Sequence, residues 1–152
     1  GRKNFSFISD WLKNYYISGN VSFTESEVTL TEEQETIYST NNRELQGLSP
    51  VVVNVTLGYD AKRRSVTLSY NKMGERIRKV GMIDDGDYYP DHYEDPGATL
   101  DFVWIEEFRN GIELKGEIGN ILQEETIWSQ GDRVTQKYEE LMTFSIGLSY
   151  KW

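Results

Sequence analysis

The sequence predicts an all-β fold, an antiparallel meander that forms part of a transmembrane outer-membrane β-barrel, with about seven strands in this chain. Three observations lead to this fold class. The last ten residues alternate between apolar and polar side chains, several earlier segments of similar length do the same, and short connections take turns with long ones. A period of two is the signature of a strand whose two faces have different neighbours.

The terminal strand carries the clearest alternation. Its polar side consists of Thr143, Ser145, Gly147, Ser149 and Lys151, and its apolar side consists of Phe144, Ile146, Leu148, Tyr150 and Trp152. In a soluble protein such an apolar face meets a core, whereas in an outer-membrane barrel it meets lipid and the polar face lines a wet interior. The terminal aromatic residue favours the second case, because Trp and Tyr prefer the membrane–water boundary.

The composition resembles that of a soluble domain, with 38% hydrophobic residues and 13% aromatic residues. No apolar run approaches the ~18 residues that a membrane helix requires. A transmembrane barrel escapes this criterion because only every second residue of its strands is apolar. The chain has no cysteine, which excludes a disulfide framework and thiolate metal sites.

The net charge of −9 is unevenly distributed along the chain. Three polar segments, residues 25–50, 81–97 and 123–141, hold 17 of the 25 acidic residues and only 3 of the 16 basic ones. A nucleic-acid partner is disfavoured, since phosphate backbones select a basic face. Solvation alone explains any one acidic segment, but the contrast between long and short connections indicates that the two rims of the sheet differ.

The predicted elements follow one another in a regular order. Phe5 and Phe7 end a truncated strand, and a turn at 10–14 leads to a strand at 15–24. After the first acidic segment come a strand at 51–59, a turn at 60–64, and a strand that starts at Val66 and continues through 76–80. After the second acidic segment come a strand at 100–108, a turn at 109–111 with the hairpin signal Asn-Gly, and a strand at 112–119. The third acidic segment precedes the terminal strand.

Short turns therefore alternate with long segments, as in outer-membrane barrels, which have short periplasmic turns and long external loops. The prediction places Phe23, Val53, Leu68, Phe102, Leu114 and Leu148 on the lipid face, and Asn20, Asn54, Ser69, Glu113 and Ser145 on the lumen face. Seven strands do not suit a single-chain bacterial barrel, which normally has an even number. We therefore expect one segment of a larger wall, whose first four residues begin inside a hairpin.

Several runs resemble the late barrel region of TonB-dependent outer-membrane receptors. They are the sequences DWLKNYYISGN at 10–20, SEVTL at 26–30, LQGLSP at 45–50, VN at 53–54, LGYD at 57–60, YNKMGERI at 70–77, LDFV at 100–103, GNIL at 119–122 and TFSIGLSY at 143–150. Each motif alone is weak, but their order and spacing cover nearly the whole chain. The terminal aromatic of such receptors is usually Phe, and here it is Trp152.

The resemblance implies a bacterial outer-membrane protein that takes up a scarce ligand, such as a metal chelate or an oligomeric nutrient, with energy from an inner-membrane complex. Receptors of this kind are barrels of about 22 strands closed by a plug. Residues 1–152 would be the C-terminal segment of the barrel domain, and the plug domain that contacts the energising complex is absent from this chain. The implied partners are outer-membrane lipid and the barrel-assembly machinery, which would read Phe144, Ile146, Leu148, Tyr150 and Trp152 as its signal.

The sequence gives no catalytic constellation, so we expect no enzyme activity, no cofactor and no metal site. His92 is the only histidine, and the acidic run at 84–87 lacks the spacing of an EF-hand. Tyr88, Tyr89, His92 and Tyr93 lie close together in the second acidic segment and could stack on a ligand. A packed loop or an aromatic girdle is the alternative interpretation of this cluster.

Two other functions remain open at this point. One is a soluble β-barrel or sandwich that binds a small apolar ligand, in which Phe144, Leu148 and Trp104 would form a core. The other is a small structural or adhesion barrel in the outer membrane without transport activity. A requirement for detergent during purification distinguishes the two membrane proteins from the soluble one. A gene that encodes a plug upstream of the barrel distinguishes a receptor from a structural or adhesion barrel.

Overall fold

The computed structural model describes residues 1–150 as an all-β protein in which every sheet is antiparallel. Its strands are β1 (Arg2–Asn4), β2 (Tyr15–Phe23), β3 (Val28–Thr29), β4 (Asn42–Arg43), β5 (Val51–Ala61), β6 (Arg64–Met73), β7 (Arg76–Lys79), β8 (Ile83–Asp84), β9 (Asp87–Tyr88), β10 (His92–Asp95), β11 (Thr99–Glu107), β12 (Ile112–Gly119), β13 (Glu125–Gln130), β14 (Arg133–Glu139) and β15 (Thr143–Tyr150). Short 3₁₀ helices cover Phe5–Phe7, Asp10–Leu12 and Gln34–Thr36. Within residues 1–150, none of the helices has the length and apolarity needed to cross a membrane.

The largest sheet, called the wall sheet below, has seven strands in the order β1-β2-β5-β6-β11-β12-β15. The wall sheet has the predicted number of strands, one short and six long, but the prediction of about seven strands for the chain was too low, because residues 1–150 contain fifteen. Each strand lies beside its predecessor in the meander. The sheet is open, with β1 and β15 at its two edges, so residues 1–150 do not close a barrel.

The register separates the two predicted faces of the wall sheet. An apolar row crosses six strands through Ile17, Leu57, Leu68, Phe102, Ile118 and Phe144. A polar row on the opposite face pairs Asn20, Asn54, Asn71 and Thr99. The six residues predicted for the lipid side share the apolar face, and the five predicted for the lumen side share the polar face. The predicted division of the strands into two faces is therefore confirmed.

The apolar face of the wall sheet is uncovered. Leu148 is 75% exposed and Ile146 is 85% exposed, and Phe144 is exposed as well. The buried hydrophobic residues of the described chain are Leu30, Ile77 and Ala98, which all lie outside the seven wall strands. The core expected for a soluble barrel or sandwich, with Phe144, Leu148 and Trp104, does not form among residues 1–150.

A second sheet stands at the end of the wall sheet that carries the long connections, and it is called the rim sheet below. Its order is β14-β13-β10-β7. Along the chain β7 follows β6, β10 precedes β11, β13 follows β12, and β14 precedes β15. Each rim strand therefore continues one wall strand, and rim strands that are neighbours continue wall strands that are neighbours. The rim sheet extends the four wall strands β6, β11, β12 and β15.

Three sequence predictions are corrected by these sheets. Residues 81–97 and 123–141 were expected to be long connections, but they contain β8, β9, β10, β13 and β14, whose polar side chains on both faces leave no apolar alternation to detect. The strand expected to run on through 76–80 ends at Met73, and β7 begins anew at Arg76. The expected strand end at Phe5 and Phe7 is a 3₁₀ helix, and the truncated strand is β1.

The segment at 25–50 packs against the free edge of the rim sheet. Gly47 donates its backbone N–H to the carbonyl of Ile77 at 2.8 Å, and Gln46 donates from Nε2 to the carbonyl of Arg78 at 2.9 Å. Ile77 is only 2% exposed. An edge strand with unpaired backbone groups attracts other chains, so this segment protects the edge of β7.

Candidate functional site

Four side chains from three strands form a cluster on one face of the rim sheet. Arg76 lies opposite Glu94 on β10, and Glu94 lies opposite Trp128 on β13. Arg78 is two residues after Arg76 on β7 and therefore points to the same side of the sheet. Cross-strand neighbours on one face have closely spaced Cβ atoms, so the pairing brings all four side chains together.

Glu94 is the centre of this cluster because both of its carboxylate oxygens accept hydrogen bonds. Arg76 donates to Oε2 from Nε at 2.8 Å and from Nη2 at 2.6 Å, and Trp128 donates from Nε1 to Oε1 at 3.1 Å. The guanidinium carbon of Arg78 lies 3.5 Å from the centroid of the Trp128 ring. A guanidinium over an indole face is a favourable cation–π contact, so the orientation of Trp128 is fixed from two sides.

A cavity of about 270 Å³ lies where the wall sheet meets the rim sheet, a place called the joint below. Asn71 and Thr99, from the polar face of the wall sheet, line it together with Arg76 and Glu94. Tyr138, whose ring centroid is 5.5 Å from that of Trp128, lines it as well. The cluster therefore continues the polar face of the wall sheet.

Hydrogen bonds from backbone N–H groups to carboxylate side chains link the chain segments at the joint. The N–H of Ala98 donates to Oε2 of Glu124 at 2.9 Å, and the N–H of Asn120 donates to Oδ1 of Asp101 at 2.8 Å. Asn120 and Gln123 have positive φ angles of 52° and 51°. Such conformations interrupt a strand, so the chain leaves the wall ladder at Asn120 and enters the rim sheet at β13.

The four predicted ligand residues lie in three different places. Tyr89 and His92 line a cavity of about 300 Å³ near Lys79, while Tyr88 is exposed and does not line it. Tyr93 follows His92 on β10 and points to the opposite face of the rim sheet. Burial raises the pKa of the Tyr93 phenol, and the nearby Asp91 carboxylate raises it further. One ligand therefore cannot stack on all four residues in this arrangement.

The acidic hairpin at 84–87 places Asp84 and Asp87 opposite each other at the start of β9. Across residues 1–150, no group of three or more His, Asp or Glu side chains is arranged to hold a metal ion.

The residues of the predicted assembly signal lie along the exposed edge strand β15. Phe144, Ile146, Leu148 and Tyr150 share its apolar side and are all exposed. One edge of β15 pairs with β12. Trp152, the last residue of that signal, lies outside the described residues.

Sequence reasoning missed the cluster around Glu94. Arg76 and Arg78 were interpreted as the continuation of a wall strand, and Trp128 was placed in a long connection. The alternation of Arg76, Ile77 and Arg78 is a weak signal for a strand with one buried side, and only the pairing of β7, β10 and β13 reveals its partners.

Comparison with known proteins finds no matching protein-family model, no matching curated protein and no matching solved structure.

Proposed function

We propose that this chain is a wall section of an outer-membrane β-barrel receptor that takes up a scarce ligand by a TonB-dependent route. The observation that carries the proposal is the seven-stranded antiparallel meander with one uncovered apolar face and one polar face. An exposed apolar surface of this extent in a soluble protein would promote association. Facing lipid, the same surface has no desolvation cost.

The stagger of the strands supports a place in a tilted wall. In the apolar row, Ile17 lies two residues from Tyr15 at the start of β2, whereas Phe144 lies six residues from Tyr150 at the end of β15. Both of these strand ends are on the side of the short turns. A stagger of four residues over five strand pairs, with a rise of ~3.4 Å and a strand spacing of ~4.8 Å, corresponds to a tilt of about 30°. Transmembrane barrels have tilts of roughly 35–45°.

Aromatic residues gather on the apolar face near the short turns. Tyr15 and Tyr59 are cross-strand neighbours with ring centroids 4.9 Å apart, and Tyr150 ends β15 at the same side. Tyr side chains prefer the headgroup level of a membrane. The distribution fits one of the two aromatic girdles of an outer-membrane barrel.

The rim sheet suits the mouth of such a receptor. It carries the polar cluster of Arg76, Glu94 and Trp128 on the side that continues the lumen face. Charged and aromatic groups around a pore bind ligands by hydrogen bonds and stacking. The TonB-dependent route itself rests on the resemblance of the sequence motifs at 10–20, 45–50 and 143–150.

The test compares bacteria that contain or lack the gene for the natural full-length protein. We expect the protein in the outer-membrane fraction, and we expect detergent to be required for its purification. Cells without the gene should grow poorly when one metal chelate or oligomeric nutrient is the sole source of a limiting element. A protonophore should abolish uptake of that nutrient.

The control restores the gene without the segment that contacts the energising complex. That variant should still enter the outer membrane but should not restore growth. A protein that stays soluble without detergent would support the soluble barrel or sandwich instead. A membrane barrel with no upstream plug and no effect on growth would support a structural or adhesion role.

A further inference from the structure

We propose that a groove on the apolar face of the wall sheet, next to the turn at Lys62 and Arg63, binds one anionic phospholipid. An acyl chain of the lipid lies in the groove, and the two cations of the turn bind its phosphate. The inference rests on the proposed function, because it requires the apolar face to meet lipid. It adds the class of lipid and the place where that lipid binds.

The groove has a volume of about 420 Å³, and its lining includes Phe5, Tyr15, Leu57, Tyr59, Val66 and Leu68. Tyr15 lies opposite Tyr59, and Tyr59 lies opposite Val66, so these three form one row across β2, β5 and β6. Leu57 and Leu68 pair in the next row. A hydrocarbon chain in the groove therefore contacts aromatic rings and aliphatic side chains, and the volume falls within the range of ~300–1,000 Å³ for ligand pockets.

The groove is more sheltered than the rest of the apolar face. Tyr15 is 39% exposed and Leu57 is 46% exposed, whereas Leu148 on the edge strand is 75% exposed. A lipid chain gains more contacts in such a concave place than on the flat part of the sheet. This difference favours one retained lipid at the groove.

Two cations without a carboxylate partner lie at the end of the groove. Among residues 1–150, Lys62 and Arg63 have no carboxylate within 4.0 Å, and both are exposed. The acidic residue of the same hairpin, Asp60, follows Tyr59 and points to the polar face. There it lies 3.6 Å from Arg2. Asp60 therefore does not neutralise the two cations of the turn.

The third cation of the hairpin, Arg64, has its own partner on the apolar face. Arg64 is two residues before Val66 and shares its side of β6. It donates to Glu106 on β11 from Nε at 2.5 Å and from Nη2 at 3.3 Å. With Asp60 and Arg64 both paired, the turn keeps an excess of two positive charges. A phosphate is the complement of such a site, because charged N–H donors form strong hydrogen bonds with its oxygens.

The distance between the groove and the turn matches the headgroup layer of a membrane. Lys62 and Arg63 lie three residues beyond the row of Tyr59 and Val66, which is about 10 Å along the strands. At a strand tilt of roughly 35–45°, this distance corresponds to about 7–8 Å along the membrane normal. The headgroup layer is about 5–8 Å deep on each side of the hydrocarbon core. With the tyrosines at the boundary of that core, the two cations therefore lie at the level of the phosphates.

The charge of the opposite rim limits the site to one leaflet. The segments at 25–50, 81–97 and 123–141 hold 17 acidic and 3 basic residues. An anionic lipid is repelled at that rim, whereas basic side chains near a membrane surface attract it. The charge distribution therefore favours an anionic lipid in the leaflet that meets the short turns.

The test measures lipid binding to the purified full-length protein in a neutral detergent, with native mass spectrometry to count the bound lipids. Dioleoylphosphatidylglycerol is the anionic probe, and dioleoylphosphatidylcholine is the zwitterionic probe with the same chains. We expect one tightly retained phosphatidylglycerol and roughly tenfold weaker binding of phosphatidylcholine. Glycerol 3-phosphate, which has the phosphate but no acyl chain, should not bind measurably.

Three variants separate the contributions of the turn and the groove. Lys62→Gln and Arg63→Gln should each weaken binding of phosphatidylglycerol about fivefold, because each removes one charge near the phosphate. Val66→Phe fills the groove without a change of charge and should also weaken binding. Thermal unfolding of each variant shows that it is folded. Unchanged or tighter binding in the Val66→Phe variant would show that the acyl chain does not lie in the groove, which would overturn the proposal.

Arg109→Gln is the matched control, because Arg109 lies on the next short turn, is exposed and does not line the groove. This variant should bind phosphatidylglycerol as the wild type does. Equal binding of the two lipids, unchanged affinity in both turn variants, or an equal loss in Arg109→Gln would overturn the site while leaving the proposed function intact. A protein that is stable and monomeric without detergent would contradict the proposed function and the lipid site together.

Discussion

At the scale of single residues, Glu94 connects the strands of the rim sheet. Its carboxylate is 12% exposed, and its partner Arg76 is 28% exposed. A charge pair at this depth is screened less by solvent than a surface pair. The contribution of Glu94 lies mainly in what its loss leaves behind, an uncompensated guanidinium and an unpaired indole N–H.

We predict that Glu94→Ala destabilises the rim sheet by about 2 kcal/mol, because Arg76 and Trp128 both lose their acceptor. Hydrogen exchange of peptides covering β10 and β13 would report the change. Glu125→Ala removes an exposed pair of the same kind and should cost no more than about 0.5 kcal/mol. Equal hydrogen-exchange protection of β10 and β13 in the Glu94→Ala and Glu125→Ala variants would contradict the central role of Glu94.

Gly58 shows a second residue-scale requirement, close approach of a side chain to the backbone. A Cβ at Gly58 would lie 2.1 Å from Cζ of Tyr16, whose ring lies across it. The guanidinium carbon of Arg2 lies 3.7 Å from the centroid of the same ring. The Tyr16 ring therefore contacts both the backbone at Gly58 and the guanidinium group of Arg2.

We predict that Gly58→Ala destabilises the wall sheet by about 1–3 kcal/mol, the usual cost of overpacking. Thermal unfolding of the full-length protein would measure this loss. Gly147→Ala is the control, since its added Cβ would have Lys115 Cβ as a neighbour at an ordinary 3.8 Å. The loss of stability caused by Gly58→Ala should be smaller when Tyr16→Ala is also present. If the loss in the double variant equalled the sum of the two single losses, steric conflict with Tyr16 would not be the cause.

At the scale of elements, the wall strands could be predicted from the sequence and the rim strands could not. β5 and β15 have one apolar and one polar side, so their period of two is visible in the residue types. The rim strands β13 and β14 carry polar residues on both sides, and their pairing depends on cross-strand contacts such as the ring contact of Trp128 with Tyr138. The cluster around Glu94 was missed for the same reason.

The terminal strand gives a direct test of the two faces. We predict that Leu148→Arg lowers the folding stability in lipid bilayers by about 2–4 kcal/mol, because it places a charge against the hydrocarbon core. Ser145→Arg, on the opposite face of β15, should change stability much less. Equal losses in the two variants would show that the apolar face does not meet lipid.

The same strand is predicted to be the assembly signal. A free strand edge offers backbone hydrogen bonds, and alternating apolar side chains add specificity. Deletion of Trp152 from the full-length protein should leave unassembled protein in the periplasm, while the purified variant should still fold in detergent. Normal surface levels of the deletion variant would show that Trp152 is not needed for assembly and would leave it the role of a membrane anchor.

At the scale of the whole molecule, the connections of the wall sheet divide into two rims. The turn at Lys62 and Arg63 and the turn at 108–111 lie on one side, with the 3₁₀ helices at 5–12. The rim sheet and the segment at 25–50 lie on the other side. This division follows from the antiparallel meander, because every second connection returns to the same side of the sheet.

The acidic segments follow the same division, which leads to a topological prediction. If the chain is part of an outer-membrane barrel, as proposed, we expect the rim sheet to face the cell exterior and the short turns to face the periplasm. The chain has no cysteine, so Asp87→Cys and Lys62→Cys each introduce a unique thiol into it. Both positions are exposed in the structure, so a difference in labelling on intact cells reports the side of the membrane. An impermeant maleimide should label the thiol at 87 on intact cells, and it should label the thiol at 62 only after the outer membrane is permeabilised. Equal labelling of the two positions on intact cells would exclude this topology, because exposed thiols on opposite sides of an intact membrane cannot be equally accessible to an impermeant reagent.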